Sequence, residues 1–323
     1  MNITLYAICK NEEKNVEKFI ENSKKFSHTV VVDTGSTDNT VQLLKDAGIE
    51  VYEHPQTREE FDFSKARNQA LSYVKTDWAF SLDFNEDVNQ IFFDGLDAIS
   101  DEFTRFNHER YDDKNGEIIQ SFEIYTRFHR TKNYKWINAV HEMLVFVSTE
   151  THPIEVLVDT TISITKKINI NINKELFYFD ILERELKINP NNSYYLWFVF
   201  NHYFNVRNTE KAFECGEKYL NLSKAYCDSF RITILICCSQ ILFNNGKVEK
   251  SVNYAFYAIS EAMNLGKPYL SQAFLYLFEL SKKLNNPNIT IFASAFNPKT
   301  LSSPERQNAI DIIKNESNLS KSL

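Results

Sequence analysis

Four acidic or amide side chains crowd the end of an apolar run within residues 76–87. Asp83, Asn85, Glu86 and Asp87 follow this run within five positions. Open α/β sheets bind ligands at the carboxyl ends of their strands, and carboxylate and amide oxygens suit hard divalent cations. The pattern predicts an interior strand whose tip contacts a ligand or a metal ion. A polar loop that caps the next helix is the alternative interpretation.

Three shorter apolar segments precede this run, at 3–8, 29–32 and 49–52, with helical patterns between them. Strands that alternate with helices of 10 to 15 residues are typical of βαβ units and a parallel sheet. Asn11 follows the first segment and is expected to cap the next helix. Gly35 follows the second segment, where it permits a tight turn.

The composition is that of a globular protein. Of the 323 residues, 43% are hydrophobic, and the formal net charge of −7 disfavours a dedicated nucleic-acid binder. The five cysteines have no metal-ligand spacing and are expected to be reduced, which favours a cytoplasmic location. We find neither a signal peptide nor an apolar run of the roughly 18 residues that a membrane span requires.

Several longer motifs resemble family-two glycosyltransferases in their order along the chain. They are Ile8-Cys9-Lys10-Asn11-Glu12, Val32-Asp33-Thr34-Gly35-Ser36-Thr37-Asp38-Asn39-Thr40, Phe63-Ser64-Lys65-Ala66-Arg67-Asn68, Trp78-Ala79-Phe80-Ser81-Leu82-Asp83, Arg127-Phe128-His129-Arg130 and Trp136-Ile137-Asn138-Ala139-Val140-His141-Glu142. The chain is similar to the bacterial and phage branch that includes the S-glycosyltransferases of glycocins. In that branch a nucleotide-sugar domain precedes tetratricopeptide-like helices.

The resemblance implies an α/β fold of the GT-A type, Rossmann-like with a mostly parallel sheet, followed by an all-α helical-repeat domain. We expect the GT-A domain at 1–168, the helical repeats at 169–313 and a flexible tail at 314–323. A Glu-Lys-small triplet recurs at 210–212 and 249–251, an offset of 39 residues. Such helical stacks form binding or self-association surfaces, although they can simply buttress the catalytic sheet.

The resemblance also implies a nucleotide site, with a UDP-sugar as the donor substrate. Glu12, Asp33 and Ser36 are expected near the nucleotide, with Asp33 accepting a hydrogen bond from the uridine or its ribose. The alternative for Asp33 is capping of the turn at Ser36, and for Glu12 a favourable charge in the first turn of a helix. Arg67 is suited to bind phosphate or to orient Asp83, or is a packed helix arginine.

A divalent metal, Mg²⁺ or Mn²⁺, is implied by the family's Asp-x-Asp motif, which here reads Asp83-Phe84-Asn85. The predicted ligands are therefore Asp83 and Asn85, although the amide contributes no charge. Family members usually have a histidine after the last strand of the domain, where this chain has Lys166 and Lys167. Lys166 or Lys167 is expected to neutralise the leaving diphosphate, with Lys166 taken as the binding residue, unless both lysines are exposed in a linker.

The predicted catalytic residues are Glu142, His141 and Asp83. Glu142 is expected to act as the general base that activates the acceptor, beside an apolar wall formed by Trp136. The leading hypothesis is an inverting hexosyltransferase that uses a UDP-sugar. Its acceptor is a peptide, a glycan or a modified nucleotide. The alternative is a catalytically degenerate protein that binds a nucleotide sugar or a partner.

Overall fold

The computed structural model describes residues 2–91, 105–114, 116–149, 155–167, 172–223, 227–265, 273, 276–277, 279–280 and 282–285. The chain divides into two compact units, residues 1–181 and 182–323. The tail predicted at 314–323 lies outside the described residues.

The amino-terminal half of the first unit alternates strands and helices, as the sequence predicts. Strands β1, β2, β3 and β4 are parallel to one another in the order β3-β2-β1-β4. These elements are β1 (Ile3–Cys9), α1 (Val16–Ser23), β2 (His28–Asp33), α2 (Thr40–Asp46), β3 (Glu50–Glu53), α3 (Phe63–Ser72) and β4 (Trp78–Ser81). The predicted interior strand is confirmed, since β4 pairs with β1 on one side and with a later strand on the other.

The sheet continues beyond β4 with longer strands of mixed direction. They are β5 (Glu86–Ile91), β6 (Arg105–Lys114), β7 (Glu117–Arg130) and β10 (Glu155–Lys167), and the described sheet has the order β3-β2-β1-β4-β7-β6-β10-β5. Strand β7 runs antiparallel to β4. A separate two-stranded sheet joins β8 (Tyr134–Ile137) to β9 (Met143–Phe146).

The central strands bury side chains on both faces, as expected of a sheet covered on both sides. On one face, Leu5 packs with Phe19 of α1 and Leu44 of α2. On the other face, Tyr6 packs with Ala70 of α3 and with Trp136 of β8. This second face therefore holds α3 and β8 against the sheet.

The expected helix cap at Asn11 is wrong. The caps of α1 and of the preceding 3₁₀ turn make no side-chain hydrogen bond. Asn11 has a positive φ of 56°, and its side-chain oxygen Oδ1 accepts a hydrogen bond from the Thr37 N–H at 2.7 Å. Its side chain therefore links the loops that follow β1 and β2. The turn at Gly35 is confirmed, with a φ of +110°.

Helices follow the sheet, which confirms the predicted class of an α/β part followed by a helical part. They are α4 (Ile172–Ile188), α5 (Ser193–Asn205), α6 (Thr209–Leu220), α7 (Asp228–Asn244) and α8 (Val248–Leu265). The division between the two units falls within α4.

Burial in the second unit repeats at the predicted offset of 39 residues. Five buried positions of α5 have buried counterparts 39 residues later in α7, namely Tyr195, Leu196, Val199, Phe200 and Tyr203 with Ile234, Leu235, Cys238, Ser239 and Leu242. The triplet positions Ala212 of α6 and Ser251 of α8 are both fully buried. The pairs α5–α6 and α7–α8 therefore present the same faces to their interiors.

Candidate active site

A cavity of about 860 Å³ opens at the carboxyl ends of β1 and β4. Its walls come from the ends of these strands, from the start of α3, from the loop between β8 and β9, and from α4. The predicted site residues on the wall are Glu12, Arg67, Asp83, Asn85, His141, Glu142 and Lys166. This is the edge of the sheet at which open α/β folds bind ligands.

Asp83 lies at the centre of a group of basic side chains. Arg67 Nη2 donates to Asp83 Oδ1 at 2.7 Å, and Arg127 Nη2 donates to Asp83 Oδ2 at 3.1 Å. The Nζ of Lys166 lies 3.6 Å from Oδ2. Burial would raise the pKa of Asp83, but the charges of Arg67, Arg127 and Lys166 hold that pKa well below its usual value. Asp83 is therefore a carboxylate at neutral pH.

Glu86 binds the backbone of Asp83 and does not line the cavity. It is only 1% exposed. Its Oε2 accepts the backbone N–H of Asp83 at 2.9 Å, and its Oε1 accepts Arg127 Nη2 at 2.9 Å. Arg127 thus joins two carboxylates. Asp87 points elsewhere and pairs with the exposed Lys18 at 2.8 Å.

Arg67 connects Asp83 to Glu142. It is buried, and its Nε donates to Glu142 Oε1 at 2.7 Å. Its guanidinium lies over the ring of Trp136, 5.0 Å from the ring centroid. Of the roles considered for Arg67, these contacts favour orientation of Asp83, because a planar fork can hold two carboxylates at once.

The loop that carries His141 and Glu142 is anchored to α3. Asn68 accepts the Trp136 N–H and donates to the Trp136 carbonyl, each at 2.8 Å. The Phe63 N–H donates to the Ala139 carbonyl at 2.8 Å. His141 has a positive φ of 53°. These bonds place Glu142 on the cavity wall beside Trp136.

His141 is neutral at pH 7. Burial lowers the pKa of its imidazole, and the nearby charge of Glu142 only partly opposes that effect. Its ring lies edge-on to Tyr178 with the centroids 5.8 Å apart. A neutral imidazole can both donate and accept a hydrogen bond.

Trp136 is held in place by a chain of buried hydrogen bonds. Its indole Nε1 donates to the Tyr6 hydroxyl at 2.8 Å, and the Tyr6 hydroxyl lies 2.9 Å from His129 Nε2. The other ring nitrogen of His129 lies 3.1 Å from the Arg130 carbonyl, so it donates there and Nε2 accepts from Tyr6. Burial lowers the pKa of His129 to about 4, so this imidazole is neutral.

Asp33, the last residue of β2, and Ser36, which follows it, were both predicted to contact the nucleotide. Asp33 is 4% exposed and accepts the backbone N–H of Gly35 at 2.9 Å and that of Ser36 at 3.0 Å. The Ser36 hydroxyl also donates to Asp33 and accepts the Asn11 N–H at 2.9 Å. Neither side chain lines the cavity. These contacts favour the capping role for Asp33 over a contact with the nucleotide.

Glu12 does line the cavity. Its Oε2 accepts Asn15 Nδ2 at 2.7 Å, and its backbone N–H donates to Thr40 Oγ1 at 2.8 Å. Burial raises the pKa of its carboxyl group. Glu12 is therefore held by its own helical turn, with its side chain on the cavity wall.

The residues around Asp83 do not fit a divalent cation as they are arranged. Asn85 Nδ2 donates to the Lys167 carbonyl at 3.0 Å, while both oxygens of Asp83 are bound by arginines. In the described part of the chain, we find no group of three or more His, Cys, Asp or Glu side chains that could hold a metal ion. A dication at Asp83 would be repelled by the three basic side chains that already surround it.

The two candidate lysines differ in their surroundings. Lys166 lines the cavity and is half-buried, whereas Lys167 is exposed and lies outside the cavity wall. Both belong to the end of β10 and not to a linker. The structure therefore separates two neighbouring residues that the sequence could not distinguish.

Arg127 and α4 also contribute to the cavity wall, and neither was predicted from the sequence to do so. Lys174, Phe177 and Tyr178 of α4 line the cavity, and Tyr178 also contacts Phe63 edge-on at 5.3 Å. Burial raises the pKa of the Tyr178 hydroxyl, and the charges of Glu142 and Asp83 raise it further. Their spacing of three and four residues indicates a common helix face. It does not indicate what that face contacts.

Comparison with known proteins confirms the predicted resemblance. Residues 4–84 match the family model described as Glycosyl transferase family 2. The match contains the ends of β1, β2 and β4, with Asp83 and Arg67, whereas Arg127, Glu142 and Lys166 lie beyond it. Together with the observed sheet, it agrees with the GT-A type of α/β fold.

Individual relatives match over different lengths. The chain is 23% identical over 273 residues to the glycosyltransferase SunS of Bacillus phage SPbeta, which is 76% of this chain and 60% of SunS. It is 30% identical over 110 residues to an uncharacterized glycosyltransferase of Rickettsia prowazekii, covering 34% of this chain and 35% of that protein. The matches thus span less than two thirds of either relative.

Two solved structures are similar to parts of this chain. Glucosyl-3-phosphoglycerate synthase from Mycobacterium tuberculosis, in complex with Mn²⁺, UDP and glucosyl-3-phosphoglycerate, gives a TM-score of 0.28 at 18% identity. That similarity covers 36% of this chain and 45% of the synthase. A further mycobacterial protein gives a TM-score of 0.32 at 16% identity, over 41% of this chain and 53% of that one. Similarities this low support no conclusion about this chain.

No helix among the described residues is long and apolar enough to span a membrane. All five cysteines are free thiols, as expected from their spacing.

Proposed function

We propose that this chain, through its glycosyltransferase family 2 segment, transfers a sugar from a nucleotide sugar to an acceptor with inversion. We take a UDP-sugar as the donor. The observation that carries the proposal is the Asp83–Arg67–Glu142 assembly, in which one buried arginine holds two carboxylates on the wall of a cavity of about 860 Å³. That volume suits a nucleotide-sized ligand.

In this proposal Glu142 is the general base. Its Oε1 is bound by Arg67, which fixes the direction of the carboxylate. The acceptor's hydroxyl or thiol gives its proton to Glu142 as it attacks the anomeric carbon. The bond from that carbon to the diphosphate oxygen breaks, and the nucleoside diphosphate leaves with the bonding electrons. Neutral His141, next to Glu142, is available to hydrogen-bond the acceptor or the sugar.

Asp83 has a different role, because three basic groups surround it. We assign it the orientation of these groups around the donor, and we assign Glu12 the nucleotide end of the cavity. We derive no step through Mg²⁺ or Mn²⁺, since the contacts of Asp83 and Asn85 do not fit a dication. Asp33 and Ser36 enter the proposal only through the turn that they form beside Glu12.

We also propose the division into a GT-A domain at 1–168 and a helical-repeat domain at 169–313. The buried positions that recur after 39 residues support a degenerate, tetratricopeptide-like repeat. Such a stack offers a surface for the acceptor or for self-association. The acceptor is a peptide, a glycan or a modified nucleotide. The free thiols support a reducing, cytoplasmic location.

The test is release of UDP from a panel of UDP-hexoses, compared with GDP-sugars, with and without candidate acceptors. Turnover of at least one UDP-sugar is the expected result. The rival is a degenerate site that binds without catalysis, which is favoured by Asn85 in place of the second aspartate. Stabilisation by UDP in a thermal-shift assay, without UDP release from any sugar or with any acceptor, would favour the rival.

A further inference from the structure

We infer that the donor's diphosphate is bound by Lys166 and the arginine-ordered wall of the cavity, without a bridging divalent cation. This inference rests on the proposed function, since it assumes that a nucleoside diphosphate enters the cavity. It identifies the positively charged groups of that site that bind the phosphates.

Asp83 is already surrounded by cations. Arg67 and Arg127 each donate to one of its two oxygens, and the Nζ of Lys166 lies 3.6 Å from Oδ2. Each carboxylate oxygen has a second lone pair, but a dication that used it would lie close to three positive groups. Like charges that close repel strongly in a partly buried site, which disfavours a dication beside Asp83.

The neighbouring carboxylate and amide groups also have partners in the protein. Glu86 is buried, binds the Asp83 N–H and Arg127, and does not face the cavity. Asn85 holds the end of β10 through its hydrogen bond to the Lys167 carbonyl. Glu142 Oε1 is bound to Arg67. Divalent-ion affinity depends on the number of charged ligands, and these residues do not assemble such a set.

The cavity wall is positively charged. Its described residues include five basic side chains and three carboxylates, with the histidine neutral. The basic residues are Lys10, Arg67, Arg127, Lys166 and Lys174, and the carboxylates are Glu12, Asp83 and Glu142. Glu86, behind the wall, pairs with Arg127 and Lys166, so the excess with it included is one positive charge. The wall therefore attracts a diphosphate diester, which carries two negative charges, without a dication.

Lys166 is the residue best placed for this contact. Its Nζ lies 3.6 Å from Asp83 and 3.5 Å from Glu86, so two carboxylates hold it at the cavity wall. An ammonium group has three N–H donors, which allows it to bind phosphate while it stays beside Asp83. Lys10 and Lys174 also line the cavity, and their exposed side chains can move to contact the phosphates.

The experiment is calorimetric titration of the full chain with UDP and with uridine, in excess EDTA and in MnCl₂. In EDTA we expect UDP to bind, and Mn²⁺ to change its affinity by less than about twofold. Lys166→Gln should weaken UDP binding by about tenfold or more, the effect of losing a charge-assisted hydrogen bond. Uridine has no phosphate, so its affinity should stay within about twofold.

Lys167→Gln is the matched control, because this adjacent lysine is exposed and outside the cavity wall. It should leave UDP affinity within about twofold. Lys166→Arg keeps the charge and should retain most of the UDP affinity, which also covers the case in which Lys166→Gln unfolds. Thermal unfolding of each variant shows whether it is folded.

Several outcomes would overturn the inference. UDP binding that requires Mn²⁺ would restore a metal bridge and leave the proposed function standing. An equal loss for UDP and uridine in Lys166→Gln, or an equal loss in Lys167→Gln, would remove Lys166 from the diphosphate. If neither UDP nor any UDP-sugar binds under any of these conditions, both the inference and the proposed function fail.

Discussion

Arg67 and Glu142 lie 75 positions apart in the chain, and their side chains meet at 2.7 Å. Nη2 of the same guanidinium donates to Asp83 Oδ1, also at 2.7 Å. A helix residue thus sets the relative positions of a strand-tip carboxylate and a loop carboxylate. The geometry of the candidate site depends on this residue more than on either carboxylate alone.

Removal of Arg67 should destabilise the fold. We expect Arg67→Met to lower the free energy of unfolding by roughly 3 to 5 kcal/mol, because it removes the buried arginine that pairs with Glu142 and one of the three cations that surround Asp83. Urea denaturation measures this change. Arg58→Met is the control, since the Arg58–Asp180 pair is exposed and should contribute no more than about 1 kcal/mol. Similar losses in the two variants would contradict the buried role of Arg67.

Glu142→Gln should reduce the turnover of the best donor and acceptor by about 10² to 10⁴-fold, the usual contribution of a general base. UDP affinity should stay within about twofold. Initial rates and calorimetry give the two quantities. Glu175→Gln, on an exposed position of α4, is the control and should keep wild-type rates. Normal turnover in a folded Glu142→Gln variant would exclude Glu142 as the base.

Asp33→Ala should affect stability more than ligand binding. Asp33 caps the turn after β2 through the N–H groups of Gly35 and Ser36, and their loss costs about 1 to 3 kcal/mol. Because Asp33 does not line the cavity, UDP affinity should change by less than about threefold. Unfolding and calorimetry test the two parts. A large loss of UDP affinity at normal stability would return Asp33 to the nucleotide site.

The hydroxyl of Tyr178 should contribute to transfer. Tyr178→Phe keeps the ring against His141 and Phe63 but removes a polar group that the charges of Glu142 and Asp83 reach. We expect kcat/KM for the acceptor to fall about fivefold, the effect of one lost hydrogen bond of ~1 kcal/mol. UDP affinity should be unchanged. Tyr178→Ala should cost more, because it also removes the ring. Equal rates for the wild type and Tyr178→Phe would limit Tyr178 to packing.

Stability should depend on pH through His129. Its pKa falls from 6.5 to about 4 on folding, so between these values the unfolded chain binds a proton that the native state does not. Stability contributed by neutral His129 is therefore present above pH 6.5 and decreases as the pH falls toward 4. The slope should approach about 1.4 kcal/mol per pH unit for this one group.

Urea denaturation at a series of pH values measures the slope, and His129→Gln should flatten it between pH 6.5 and 4. His28→Gln is the control, because His28 is exposed at the start of β2. A slope that is the same in His129→Gln and in the wild type would show that other groups bind the proton.

The sequence by itself determined much of the local architecture. Short runs of β-branched and aromatic residues predict β1 to β4, because backbone geometry and side-chain periodicity act over a few residues. The polar groups after β4 predict a site at its tip, and the cavity lies there. Ordered motifs predict the family of the amino-terminal segment, which the match of residues 4–84 confirms.

The contacts of each polar side chain depend on the tertiary fold and could not be predicted from the sequence. Arg127 contacts Asp83 because β7 pairs antiparallel with β4, and Tyr178 lines the cavity because α4 does. Neither contact can be predicted from the residues near it in the sequence. Asp33 and Lys166 were both predicted to contact the donor. Asp33 instead accepts hydrogen bonds within its own turn, whereas Lys166 lines the cavity. Hydrogen bonding and ion pairing depend on distances of a few ångströms between residues far apart in the chain, and only the packed fold sets those distances.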